Sequence, residues 1–189
     1  MTQATKPAKL RRSEWLSASL EALVREGVEG IHVEPLAKRL GVTKGSFYWH
    51  FQDRQALLKS VIEHWTTRMI GAVRACETKT GSARERLLKI MEAITREDRT
   101  RYEVAMRMWA AADERAAKAV RRVDEARIGL HFSLFLEMGF APEQAEIRCR
   151  MMVFYEYGEA EFAIKAPVEK RLEYVQLRHH ILTEGAHGE

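Results

Sequence analysis

Within VTKGSFYWHFQDRQALL, residues 42–58, hydrogen-bond donors crowd around a bare stretch of backbone. Thr43 and Ser46 offer hydroxyls, Lys44 an ammonium, Tyr48 a phenol and His50 an imidazole, while Gly45 leaves room for another molecule to approach the main chain. Donors of these kinds at the start of a short helix fit the phosphates and base edges of duplex DNA. Lys44 has the reach for a guanine edge or a phosphate, and the Tyr48 hydroxyl and His50 suit the DNA backbone. The remaining rings divide by helical phase. Phe47 and Phe51 stand at i, i+4, a spacing that predicts an inward face against Leu16, Leu20, Leu36 and Leu40. Trp49 is expected to pack near the start of the next helix. So dense a ring cluster also suits ordinary core, and only the flanking elements separate the two readings.

Those elements read as helices. Ser13 is a candidate cap for SEWLSASLEALVREG, whose Leu16, Leu20, Leu23 and Val24 share one face, and Gly27 is a natural stop. A short helix, VEPLAKRL, ends at Gly41, and Thr43 is placed to cap a second, KGSFYWHF. Two short helices around a glycine-containing turn form a helix-turn-helix signature, in which the second helix offers its first residues to the major groove. Asp53 then caps a long helix with Leu57, Leu58, Val61, Ile62, Trp65 and Met69 in phase, running without a linker to a break at TKTGS, residues 78–82. Further on, Ser82 and Glu85 spell a capping box, Asp113 caps a long helix to Met138, and Pro142 and Pro167 open the last two helices. No strand alternation or internal repeat stands out. The expected fold is all-α with about nine helices: a basic arm at 1–12, a helix-turn-helix domain at 13–59 and a helical bundle at 60–189.

Charge follows this division. The chain carries a net +4; residues 1–59 hold ten Lys and Arg against six acids, while the remainder balances at 21 of each. The excess points to a polyanion-facing N-terminal region, or to a few solvated charges. No apolar run approaches the ~18 residues that span a bilayer, and no apolar h-region follows the first basic residues, so neither a membrane segment nor a secretory signal is expected. Cys76 and Cys149 are not spaced as a metal pair and fit a reducing cytoplasm. Without a nucleophile elbow, phosphate loop or H-E-x-x-H, no enzyme, cofactor or metal site is expected; His179, His180 and His187 read as a solvated tail.

From Leu16 to Leu58 the chain resembles the DNA-binding region of the TetR family of transcriptional regulators. The resemblance rests on EALVREGVEGI, LAKRLGV and above all TKGSFYWHFQDRQALL. Trp15 and Ser19 depart from it, standing where the family usually has smaller aliphatic residues, and so do Glu34 and Pro35, in a second-helix stretch that in the family sometimes supplies a base-reading cation. The resemblance implies DNA contacts from Thr43, Lys44, Gly45, Ser46, Tyr48 and His50, with His32 on a phosphate; Arg11, Arg12, Arg54 and Lys59 are further candidates. It also implies a homodimer through residues 142–182, with Gly158 and Ala160 allowing close helix approach, and a palindromic double-stranded operator. A repressor released by a small-molecule effector follows from the family's habit. The alternative is a sequence-tolerant architectural or cell-division protein without an effector.

For an effector, the bundle offers adaptable and aromatic residues as candidate pocket walls: Trp65, Met69, Met106, Trp109, Phe132, Phe135, Met152 and Tyr155. Glu156, His131 and Tyr157 are candidate polar anchors. Taken singly, each of the apolar residues suits plain core better than a pocket wall, and Glu156, Glu159 and Glu161 either favour a cationic ligand or face solvent or the partner helix.

Overall fold

The first helix begins one residue earlier than its expected cap. The computed structural model describes residues 10–77, 80–97, 100–161 (side chains to 159) and 166–186; most of the arm expected at 1–12, and His187, lie outside them. Helix α1 is Arg12–Glu26, so Ser13 sits inside the first turn, and it is the Glu14 carboxylate that accepts the Arg11 backbone N–H at 2.6 Å. A 3-10 turn, Val28–Gly30, leads to α2, Val33–Arg39, and α3, Lys44–Tyr48; α4 is Arg54–Glu77. Chain contacts divide the molecule between Trp65 and Thr66, inside α4.

The first unit closes around rings. Trp15 is fully buried and meets Phe47 edge-on at 5.4 Å, and Phe47 stacks on Phe51 at 5.3 Å. Two of the positions that depart from the TetR pattern thus have physical roles. Trp15 fills this ring core, and buried Ser19 satisfies its hydroxyl by donating to the Trp15 carbonyl at 2.8 Å. Regular α3 stops at Tyr48 rather than continuing to Phe51, yet the Phe51 N–H still donates to the Phe47 carbonyl at 3.0 Å. That single α-turn keeps the two rings on one face. Trp49 does not pack as expected: where α3 ends it turns outward and is 78% exposed. Leu40 is half-buried because α2 has already ended. Asp53 caps α4, accepting the Ala56 N–H at 2.8 Å.

The second unit is an all-helical bundle: the rest of α4, then α5 (Ala83–Arg96), α6 (Thr100–Ala110), α7 (Glu114–Glu137), α8 (Pro142–Glu161) and α9 (Val168–Thr183). Both elements of the Ser82–Glu85 capping box form, at 3.0 and 3.3 Å, and Asp113 accepts the Arg115 N–H at 2.9 Å. Helix α5 packs on α7 and α9, and α7 on α6 and α8, around Leu87, Met91, Leu134, Phe135 and Met152. His179 is no solvated tail: it is buried, and its Nε2–H donates to the Arg84 carbonyl at 2.9 Å where α9 meets α5. Among the described residues there is no strand, no metal-type cluster and no helix long and apolar enough to cross a membrane.

Candidate nucleic-acid interface and bundle cavity

The turn before α3 is built by hydrogen bonds that leave its donors outward. Gly41 takes φ +67°, a left-handed conformation that favours glycine, while the Gly41 and Val42 N–H groups close on the Lys38 and Ala37 carbonyls at 3.2 and 3.0 Å. Thr43 then has an extended backbone and accepts the Ser46 N–H on its carbonyl at 3.0 Å, but its hydroxyl makes no capping bond. Thr43, Lys44, Gly45, Tyr48 and His32 are exposed and Ser46 is half-buried. Lys44 pairs with Glu34 of α2; both side chains are more than half exposed, so this contact contributes little. Gly45 has open surroundings within the chain, where an added Cβ would meet only Thr43 Oγ1 at 3.6 Å. Nothing in the protein's own packing therefore requires glycine at this position.

Four candidates are engaged inside this unit. Half-buried His50 donates through Nε2 to the Leu10 carbonyl at 2.8 Å. Arg54 is a clamp rather than a solvated charge: Nε–H and Nη2–H donate to the Ile31 and Val28 carbonyls at 2.8 and 2.9 Å, satisfying the end of the 3-10 turn. Arg12 belongs to α1, with its guanidinium 5.0 Å over the Phe51 ring and a 2.5 Å bond to Ser60 Oγ. Lys59 lies 3.9 Å from Glu63 on the surface of α4.

The second unit holds a cavity of about 240 Å³. Its apolar wall is Met69, Ala72, Val73, Ala75 and Cys76 of α4, Ile90, Ala93 and Ile94 of α5, and Leu130 of α7; its polar wall includes Glu103, Arg127, His131, Glu156 and Tyr157. Of the residues nominated from sequence, Met69 among the apolar walls and Glu156 among the polar anchors line it. Met106, Trp109, Phe135 and Met152 are buried elsewhere in the bundle, Phe132 packs partly buried against its core, Tyr155 is exposed, and Trp65 belongs to the first unit. The candidate anchors His131 and Tyr157 are both in the wall.

A charged network underlies the polar wall. Arg127 donates two parallel bonds to Glu103, at 2.7 and 3.1 Å, and a further one to the Tyr157 hydroxyl. The same hydroxyl contacts Glu103 and lies 3.0 Å from Asp124 Oδ1, which also accepts from Arg107 at 2.5 Å. Burial works against the Arg127 charge, but the Glu103 carboxylate more than offsets it, so Arg127 is held above its usual range. Burial, opposed by Arg127 and reinforced by Glu103, keeps Tyr157 protonated. His131 is fully enclosed; desolvation and then Arg127 pull it down to about 3, and its Nδ1 has no partner. Burial raises the Glu156 carboxyl to about 7 against the pull of Arg178 and Arg127, and its Oε1 is likewise without a partner. The sequence carried a signal for this network that periodicity alone overlooks: Arg127 falls on the buried stripe of Val120, Val123, Leu130 and Leu134, and Glu103 on that of Met106.

Fold and turn define a class: an all-helical, two-unit protein with an N-terminal helix-turn-helix. Residues 16–61 match the family model described as bacterial regulatory proteins, tetR family, so over this segment the chain is similar to the DNA-binding region of that family. Tetracycline repressor protein class C of Escherichia coli is 41% identical over 59 residues, 31% of this chain and 27% of that protein. The HTH-type transcriptional regulator BetI of Escherichia coli is 30% identical over 104 residues, 54% of this chain and 53% of BetI. The chain thus matches about a quarter to a half of these relatives' lengths. A crystal structure of a transcriptional regulator from Rhodococcus superposes with a TM-score of 0.72 over 94% of this chain and 96% of that one, at 21% identity. The fatty acid degradation regulator FadR from Bacillus halodurans gives 0.66 over 98% and 100%, at 14% identity. At these identities the likeness concerns the fold.

Proposed function

We propose that the protein is a dimeric, sequence-specific DNA-binding repressor of transcription, acting in the cytoplasm on a palindromic operator and released by a small molecule held in the bundle cavity. The outward donor end of α3 carries this reading: Thr43, Lys44, Ser46 and Tyr48 present unburied donors beside a glycine the fold does not need, within the segment matched to the TetR family. These donors suit phosphates and base edges, and a duplex is the partner that gives Gly45 a reason to lack a side chain. His32 stands exposed at the start of α2, placed for a phosphate.

A second copy of the chain is the proposed cover for α8 and α9. Ile147, Met151 and Phe154 form an exposed apolar row on α8, and Tyr174, Leu177 and Ile181 form one on α9, both at helical spacing. Release operates by population shift: an effector binds better to a form whose recognition helices do not fit the operator. Met69, Ala72 and Cys76 of the cavity wall lie on α4, the helix whose first half supplies Leu57 and Val61 to the helix-turn-helix core.

Selection from random duplex DNA at near-physiological salt tests the reading, with Lys44→Ala and Tyr48→Ala beside the native chain. A sharp palindrome that both variants lose is expected. A shallow, sequence-tolerant profile unaffected by either change supports the architectural alternative. Sedimentation of Phe154→Glu tests assembly, with monomers expected.

A further inference from the structure

The polar groups of the cavity wall are paired with one another except at two atoms. Arg127, the guanidinium of this wall, has its hydrogen bonds committed to Glu103 and Tyr157. Two buried groups of the wall, Glu156 Oε1 and His131 Nδ1, have no hydrogen-bond partner. An apolar guest would leave both of these buried polar atoms unpartnered, which is unfavourable. An anion would find the guanidinium of the wall, Arg127, already committed to Glu103, and would meet the Glu156 carboxyl. A volume of about 240 Å³ lies below the ~300–1,000 Å³ of sites for drug-sized molecules, so the guest is small.

We propose that this cavity takes a small organic ammonium ion, its apolar body against Met69, Val73, Ile90, Ile94 and Leu130 and its N–H donors on the Glu156 carboxylate. Its use as the effector rests on the regulatory reading above; its binding does not. The groups bearing on Glu156 are Glu103 from α6, Arg127 and His131 from α7, Glu159 on its own helix, and Arg178 from α9. Arg178 lies outside the wall, with its guanidinium 4.1 Å over the Tyr155 ring. The guest's charge replaces the proton that burial otherwise holds on Glu156 near neutral pH. Affinity therefore rises with pH, by about tenfold between about pH 6 and 8, while His131 stays neutral and a primary ammonium stays charged.

Calorimetric titration of the full chain with phenethylammonium, phenethyl alcohol and phenylacetate tests the proposal, because the three share a ring and differ in head charge. Phenethylammonium should bind at least about tenfold more tightly than the alcohol, with phenylacetate weakest, and more tightly at the higher pH. Glu156→Gln should abolish the preference for ammonium over alcohol and the pH slope, and Glu156→Asp should retain the preference, showing that charge rather than fold is responsible. Equal affinity for ammonium and alcohol, tighter binding of phenylacetate, or no saturable ammonium binding overturns the proposal. A parallel operator-binding assay keeps the two readings apart: ammonium that binds through Glu156 without releasing operator leaves the ligand assignment standing and removes its role as effector.

Discussion

The two units handle polarity in opposite ways. The helix-turn-helix unit fills its interior with rings, Trp15, Phe47 and Phe51, and sets its donors on the surface. The bundle draws Glu103, Arg127, His131 and Glu156 inside, and leaves Ile147, Phe154, Leu177 and Ile181 outside. A surface donor costs the fold almost nothing and is free to meet a polyanion, whereas a buried charge must be paired or it destabilises the protein. The contrast teaches where the proposed function would place each unit's recognition: on the exterior of the first, in the interior of the second.

The largest expected effect comes from breaking the interior pair. Arg127→Met removes the bidentate partner of the buried Glu103 carboxylate, leaving it the Tyr157 hydroxyl and Arg107 at 3.7 Å, and should destabilise the protein by about 3 kcal/mol in urea unfolding, while Arg127→Met with Glu103→Leu should regain most of that loss. A full-sized loss in the double variant would mean the network contributes more than mutual neutralisation.

Glu156 should give a pH-dependent effect of comparable size. Its carboxyl sits at about 7 in the folded chain against an ordinary 4.5, so the native state holds the extra proton between those values. Stability therefore falls as pH rises through that window, by about 3 kcal/mol for a shift of this size. Glu156→Gln should remove the loss, making the variant more stable than the native chain above about pH 7 and no more stable below about pH 4.5. Chemical denaturation at several pH values reads the crossover, and a pH-independent difference would contradict the buried-carboxylate assignment.

On the exterior of the first unit, the same size of change should leave stability alone. Lys44→Ala should shift unfolding by no more than about 0.5 kcal/mol yet weaken DNA binding and lower the salt dependence by about one phosphate contact. The smallest effect on the fold, and the sharpest comparison, is Gly45→Ala. Alanine suits a helix better by up to about 1 kcal/mol and finds open space here, so the variant should be as stable as the native chain or slightly more so. It should nonetheless bind DNA less well, because the added methyl occupies the approach of the DNA backbone. Unchanged DNA affinity would remove Gly45 from the interface.

These contrasts follow how much of each unit could be read along the chain. The Asp53, Ser82 and Asp113 caps, the stops at Gly27 and Gly41, and the shared face of Phe47 and Phe51 all appear where sequence pattern puts them. Each depends on groups at most a few residues apart, for which helix geometry leaves little choice. The inward turn of Arg54 and the outward turn of Trp49 were not legible, because both depend on where neighbouring elements end. The cavity was legible least of all. Met69, Ile90, Glu103, Arg127 and Glu156 come from five helices, and no spacing along the chain distinguishes a methionine that lines a void from one that fills a core. Local hydrogen bonding and helical phase are written into neighbouring residues; the placing of a carboxylate and an imidazole against a shared space exists only once distant helices have packed.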